Sequence, residues 1–402
     1  MLKFIDNNEL WPENETSYLE NTLDHLDFFD YERIKISDVV LGETYYFLYR
    51  VQGYPSSDLY DTNAHSIPTK ILNLMENGYD IRIIITTFHE SDSRDSLQKI
   101  KEYCDTNGIK QKSVYIINGN SSIDLLQKEF GTNFNVYSNQ YIPMTMSRQM
   151  DFDGNHGFHE DRMYKFQCFN RNVKNHRWAI LAFLKYKNII NETDWSNLYG
   201  TRLADFYDNE TDKFYYFRGP DKTKILTDEY IEKFNEPLEW LLGQGDKKPD
   251  TEEFKFDQNG PQHDLSYKHN IYRYAYINIV TETQYYWDNV IHITEKTTQP
   301  LWFYQIPIIV ATPFHIKKTK ELYDLDFFDD YVDHSYDNET NHIKRMLMIF
   351  DEIERLSKID KEDMRKYFNQ KRIKKRLYEN RNKIRLIQFS ENDYNFYKQL
   401  PK

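Results

Sequence analysis

Two short polar clusters in this chain combine acids and cations in a pattern that suits a phosphorylated ligand. The first is Glu282 with the tripeptide Thr294-Glu295-Lys296. Thr294 is a natural helix N-cap, which places Glu295 and Lys296 in a first helical turn. A lysine there, beside free backbone N–H groups and the positive end of the helix dipole, suits a phosphate, while a carboxylate suits a pair of ribose hydroxyls. The second cluster is Asn170-Arg171-Asn172, followed by His176 and Arg177. Arginine's planar fork is the usual partner of a diphosphate, and departure of a nucleoside diphosphate needs positive charge held against it. A third polar segment, Phe88-His89-Glu90-Ser91-Asp92, offers Glu90 as a general base toward a hydroxyl. Each cluster has a plainer reading: an N-cap with favourable first-turn charge, surface salt bridges, or a solvated loop capping the next helix through Ser91 or Ser93. Asp151-Phe152-Asp153 has the form of an acidic metal motif, but the Gly154-Asn155-His156-Gly157 beside it fits an interdomain linker, so no metal ligand is assigned.

The elements that must position these residues are strands and helices in alternation. Ala275 to Val280 is apolar without a two-residue period, and so is Pro307 to Val310. With a helical segment between them they make a βαβ unit of a parallel sheet buried on both faces. Ligands of such sheets sit at the carboxyl ends of the strands, where Glu282, Glu295 and Lys296 fall. Met163 to Phe169 and a helix from about Asn175 to Lys187 repeat that geometry around Arg171 and Arg177. In the first half, strands are expected at Thr44 to Val51, Ile81 to Thr87, Ser113 to Ile117 and Asn133 to Tyr137. Helices are expected at Pro68 to Glu76, Ser93 to Asn107 and Ser122 to Phe130. This alternation predicts a second parallel sheet, with no Gly-rich phosphate loop. The first forty residues show no clean period. Tyr323 to Tyr336 reads as a short strand or turn with a solvated acidic face, and helices are expected at Ile343 to Leu356 and Lys361 to Tyr378.

Thr281-Glu282-Thr283, then a short insert, then Ile293-Thr294-Glu295-Lys296 before a helix and Ile306-Pro307-Ile308-Ile309, resembles the donor-binding signature of the α1,3-fucosyltransferase family, of GT-B fold. The resemblance covers about forty residues, with a weaker extension around Arg171, and leaves the first 150 unmatched. It implies that Glu282, Glu295 and Lys296 contact a nucleotide-sugar, and that an arginine in the Arg171 region does so too. The chain departs from the family pattern at Thr281 and Thr283, which flank Glu282 where the family has Phe and Asn-Ser, and at Pro300, which interrupts the helix.

Composition sets the outer bounds. At 402 residues the chain accommodates two domains with full cores. No apolar run approaches the roughly 20 residues of a spanning helix, and Met1 to Asn14 has neither a basic leader nor an apolar signal core. Only Cys104 and Cys168 occur, which points to a reducing, cytoplasmic setting. The net charge of −12 argues against a protein that coats nucleic acid. Against it stands a basic run near the C-terminus: Arg365, Lys366, Lys371, Arg372, Lys374, Lys375, Arg376, Arg381, Lys383 and Arg385. A solvated helix face is the favoured reading of it, and a surface for a polyanion such as DNA, or for an anionic membrane, is the alternative.

These observations predict an α/β, GT-B-like chain with two Rossmann-like domains facing a cleft, closed by C-terminal helices. Residues 1–155 would form an acceptor domain, 160–340 a donor-binding domain, and 341–402 the closing helices. The expected activity is transfer of a hexosyl or deoxyhexosyl group from a nucleotide-sugar, GDP- or UDP-linked, to the hydroxyl of a glycan or other acceptor, inverting and metal-independent. Arg171, Arg177, Thr294, Lys296, Glu282 and Glu295 would bind the donor and Glu90 would be the base, with no cofactor and no metal. A non-catalytic nucleotide- or glycan-binding protein of the same fold, and an enzyme acting on modified DNA bases, are the alternatives.

Overall fold

The computed structural model describes residues 1–6, 31–50, 67–87, 96–138, 158–170, 174–197, 207–208, 213–214, 224–245, 247, 270–286, 290–387 and 400. Contacts divide the chain into two units, Met1–Ile142 with Ser390–Lys402, and Pro143–Phe389. Of the residues singled out from sequence, Glu90, Asp151, Asp153 and Arg171 lie outside the described residues.

The first unit holds β1 (Leu2–Ile5), β2 (Tyr31–Ile34), β3 (Thr44–Arg50), α1 (Thr69–Glu76), β4 (Asp80–Thr87), α2 (Ser96–Thr106), β5 (Val114–Asn118), α3 (Ile123–Glu129) and β6 (Asn135–Ser138). Its sheet is parallel throughout, in the order β2-β1-β3-β4-β5-β6. The alternation read from sequence is present. What the sequence did not show is that the aperiodic first forty residues supply two of the strands. They are short, four residues each, and Tyr31–Ile34 is an edge strand with no fully buried side chain, so it carries no apolar period. Leu2, Phe4, Tyr46, Leu48, Ile84, Tyr115, Ile117 and the distant Leu400 form one buried cluster.

The second unit holds β7 (Tyr164–Asn170), α4 (Asn175–Tyr186) and β8 (Thr193–Asn197), then a short antiparallel pair, β9 (Tyr207–Asp208) and β10 (Lys213–Phe214). After α5 (Asp228–Lys233) and α6 (Asn235–Gly243) come β11 (Ala275–Thr281), α7 (Glu295–Trp302), β12 (Ile306–Val310) and α8 (His315–Tyr323). Three helices follow: α9 (His342–Ser357), α10 (Lys361–Phe368) and α11 (Lys371–Ile387). The sheet is parallel, in the order β12-β11-β7-β8. β11 and β12 are buried at every position, as continuous apolar runs require of a sheet covered on both faces. Asn278, polar in the middle of β11, bonds to Gln167 at 3.0 Å and to Gln305 at 2.9 Å, and Gln305 also reaches the Ala275 carbonyl at 3.1 Å. A buried amide network of this kind is favourable only in one register, so it fixes β7 against β11.

Three expectations are made specific by the structure. α7 runs through Pro300 and ends two residues later, because a proline late in an eight-residue helix removes a single bond from a ladder that is about to stop. The stretch Tyr323 to Tyr336 takes the turn form of the two expected, with Phe327, Phe328, Val332 and Tyr336 buried beneath it; Asp324, Asp329, Asp330 and Asp333 stay exposed, the first three also in ion pairs with Lys383, Lys320 and Arg376. The last helix is two, broken at Asn369-Gln370, so that Met364 and Phe368 on one, and Ile373, Leu377 and Ile384 on the other, all reach the core. The basic run is therefore only partly solvated. Arg376 makes bonds of 2.6 and 3.0 Å to Asp326 and 2.8 Å to Asp330, Lys374 pairs with Glu160, and Lys383 pairs with Asp324. Arg381 lies 4.7 Å over the Trp302 ring and bonds the Tyr304 hydroxyl, which ties α11 to the end of α7.

Candidate functional site

The strand order places a topological switch point in the second unit. From β7 the chain goes through α4 to β8 on one side, and from β11 it goes through α7 to β12 on the other. Between the carboxyl ends of β7 and β11 the two crossovers diverge, leaving the crevice where ligands of open parallel sheets bind. The Thr281 hydroxyl donates to Asn170 Oδ1 at 2.5 Å across this point, so the two strand ends are joined by side chains.

Thr281-Glu282-Thr283 is the hub of the crevice. Its three consecutive carbonyls accept from the start of α4: Thr281 from the Arg177 guanidinium (3.4 Å), Glu282 from His176 Nε2 (2.8 Å) and Thr283 from Lys174 Nζ (2.8 Å). The Glu282 side chain turns the other way, to the start of α7. Its carboxylate accepts from the Thr294 hydroxyl (2.7 Å), the Thr297 hydroxyl (2.5 Å), and the backbone N–H groups of Thr294 (3.4 Å) and Thr283 (3.2 Å). One tripeptide thus fixes two helix starts, α4 through its backbone and α7 through its carboxylate.

Glu282 is 0% exposed. Burial alone would push its carboxyl up, yet Lys296, His315 and the two threonine hydroxyls together hold it below the ordinary carboxylate range. It is a buried anion. Thr297 extends the network: its hydroxyl, having donated to Glu282, accepts from His315 Nε2 at 2.8 Å. Burial holds the His315 imidazole below its ordinary value against the opposing pull of Glu282 and Asp337, and this keeps it neutral. His176 is neutral for the same first reason, reinforced by Arg177 and Lys174. The His176 ring stacks on Tyr285 at 5.4 Å, and the Arg345 guanidinium lies 4.5 Å from the same Tyr285 ring, so the chain leaving the hub is held in place.

Thr294 caps α7, accepting from the Lys296 N–H at 3.2 Å, as its position before the helix predicts. Lys296 Nζ lies 2.9 Å from Glu295, with a third of its side chain exposed. Such a pair contributes about 0–1 kcal/mol, so the ammonium can turn to a ligand at little cost. Lys174, the N-cap residue of α4, supplies no side-chain cap to that helix. The start of α8 differs, because Asp337 already accepts from the N–H groups of Ile316 and Lys317, both at 3.0 Å. Two helix starts with cations beside them, those of α4 and α7, therefore face the switch point.

The structure brings Arg177, Glu282, Thr294, Glu295 and Lys296 together. Arg177 is buried against the hub rather than presented on a surface. Lys174, Thr297 and His315 join them without having been expected from the sequence. Lys174 stands only one helical turn before Arg177 and carried a usable signal; Thr297 and His315 acquire their roles only through burial.

No family model matches the chain, and no curated protein matches it. Among solved structures, an α,α-trehalose-phosphate synthase (UDP-forming) from Burkholderia vietnamiensis is similar with a TM-score of 0.40 and 11% identity, covering 89% of this chain and 74% of that one. The corresponding enzyme from Burkholderia xenovorans, in complex with glucose-6-phosphate, gives 0.40 and 10%, covering 96% and 75%. A DNA modifying enzyme, beta-glucosyltransferase, gives 0.36 and 10%, covering 98% and 100%. Likenesses at these identities and scores carry no weight for the chemistry of the site, which rests on its own geometry.

Proposed function

We propose that this chain transfers a glycosyl group from a nucleotide-sugar to a hydroxyl, with the donor diphosphate at the switch point between β7 and β11. The observation that carries this is the hub Thr281–Thr283, which orients two helix starts and the cations Lys174, Arg177 and Lys296 toward one crevice. Fixed donors and cations aimed where charge develops are what departure of a nucleoside diphosphate requires. In the reaction, the acceptor oxygen bonds to the anomeric carbon as the bond from that carbon to the diphosphate oxygen breaks. The leaving group takes the electron pair, a base takes the acceptor proton, and attack from the opposite face inverts the configuration.

Lysine and arginine would take the place of a metal. The buried Glu282 acts on the ligand through the α7 start that it organises, while Glu295 and Lys296 stand nearer solvent. The resemblance of Thr281–Thr283 and Ile293–Lys296 to the fucosyltransferase signature supports a GT-B, fucosyl-type donor with GDP or UDP. For the base, Glu90 is one candidate. Asp6 is a second: it follows β1, which lies beside β3 where the first sheet's own strand order reverses, and it is half-buried there.

The test is thermal stabilisation by GDP, UDP, ADP and CDP. A ligand of micromolar affinity at millimolar concentration stabilises by about 4 kcal/mol through mass action, a shift of several degrees. Absence of a shift with all four would sink the proposal.

A further inference from the structure

Asn197 ends β8 at its carboxyl end, in register with Asn170. Its backbone N–H and carbonyl are both bonded to Lys247, at 2.8 and 2.9 Å, so the strand itself is finished there. Its side chain is not. Asn197 is 1% exposed, and neither its amide nitrogen nor its amide oxygen has a hydrogen-bond partner among the described residues. Buried amides are satisfied in nearly all proteins, and one left open at both ends calls for an explanation outside the fold.

Position supplies one. Residues paired in register share a face of a sheet, and Asn170 is joined through its side chain to Thr281 at the switch point. Thr281, Asn170 and Asn197 therefore make a polar row across the carboxyl edges of three strands. With strands about 4.8 Å apart, Asn197 stands about 10 Å from the hub, a nucleoside's length from a phosphate bound at the two helix starts. The Thr312 hydroxyl, past β12, is also buried without a partner among the described residues, but a single hydroxyl presents no adjacent donor and acceptor. A carboxamide does, and it matches the adjacent donor and acceptor on the pairing edge of a nucleobase.

We infer that Asn197 reads the base of the donor nucleotide, an inference that rests on the diphosphate being held at the switch point. The unsatisfied amide is then the empty half of a two-bond contact, and nucleotide preference is set by β8 while the phosphates are held by α4 and α7.

Calorimetric titration of the wild type, Asn197→Leu and Asn197→Asp with GDP, UDP, ADP, CDP and inorganic pyrophosphate tests this. In the leucine variant the preferred nucleotide should weaken by about tenfold or more, the value of a two-bond base contact. Pyrophosphate binding should be unchanged, and the melting temperature of the unliganded protein should not fall. In the aspartate variant, which loses the amide donor, the ranking of the four bases should change. Unchanged ranking and affinity in both variants would overturn the assignment, and so would equal weakening of pyrophosphate. A lower melting temperature with unaltered nucleotide binding would show a buried water on the amide instead, also against it. A wild type that binds pyrophosphate as well as any nucleotide would refute base reading while leaving the diphosphate site standing. A wild type that binds none of the five would remove the diphosphate site itself, and the role of Asn197 with it.

Discussion

Replacing Glu282 by alanine separates a buried organiser of the site from an open ligand contact. In the wild type the carboxylate receives two hydroxyl and two backbone donors, and it is wholly buried. Hydrogen bonds to a charged group are worth about 1.5–3 kcal/mol each, but they are not additive, and the buried anion carries a desolvation cost that the mutation relieves. Removing one partner of a buried, charge-bonded set costs about 3–5 kcal/mol. For a unit of this size, about 2–4 °C of melting temperature corresponds to each kcal/mol, so a loss near 3 kcal/mol lowers the transition by about 6–12 °C. Glu282→Gln should fall between alanine and wild type, because an amide keeps the shape but offers a donor where a hydroxyl now donates. The assay is differential scanning calorimetry with and without pyrophosphate. Both variants should also lose pyrophosphate binding, since the start of α7 is no longer fixed. If the alanine variant melts within about 2 °C of the wild type, the carboxylate is not the organiser described, and direct contact with a ribose becomes the better account.

Lys174→Ala and Lys296→Ala should each weaken nucleoside diphosphate binding by about tenfold with little change in melting temperature, since both side chains are only half-buried; unchanged affinity in both would remove the cations from the phosphate site. Folding stability should decline in acid starting below about pH 6.5: the folded state holds His176 and His315 neutral while the unfolded chain takes up those protons, so stability rises with pH across this window, and Glu282, with its folded value lowered, adds a further loss below about pH 4.5. Urea titrations of the wild type and His176→Gln check it, and equal slopes against pH would refute the His176 part. Asp6→Asn and Glu90→Gln should divide the base question, with one lowering transfer by about 100-fold or more at unchanged donor affinity; if neither does, the base lies elsewhere. Neutralising Lys371, Arg372 and Lys375, which spares the cations that pair Asp326, Asp330 and Glu160, should leave DNA binding and transfer unaltered; a tight, salt-sensitive gel shift lost in this variant would bring a nucleic acid acceptor forward.

The amino-acid order by itself determined the local parts. Apolar runs without alternation, such as Ala275 to Val280 and Pro307 to Val310, fit strands covered on both faces, and the helices between such strands make the sheets parallel. Thr294 before Glu295 and Lys296 sets a cap whatever surrounds it, because the bond to the Lys296 N–H spans two residues. Two strands of four residues were invisible: the edge strand Tyr31–Ile34 buries too little to have a period, and the buried Leu2–Ile5 is too short to show one.

Tertiary structure decided what those parts do. The switch point exists only because β11 adds beside β7 rather than beside β8, a choice fixed by Asn278 meeting Gln167 across more than a hundred residues of chain. Lys174, His176 and Arg177 reach the carbonyls of Thr283, Glu282 and Thr281 over a similar separation. Glu282 looks in sequence like a solvated turn acid and is instead a buried anion, because the threonines, lysine and histidine that stabilise its charge converge on it only after both crossovers have folded back. Burial, and with it the sign of every local charge interaction, is a property of the assembled layers and is not written in any window of the chain.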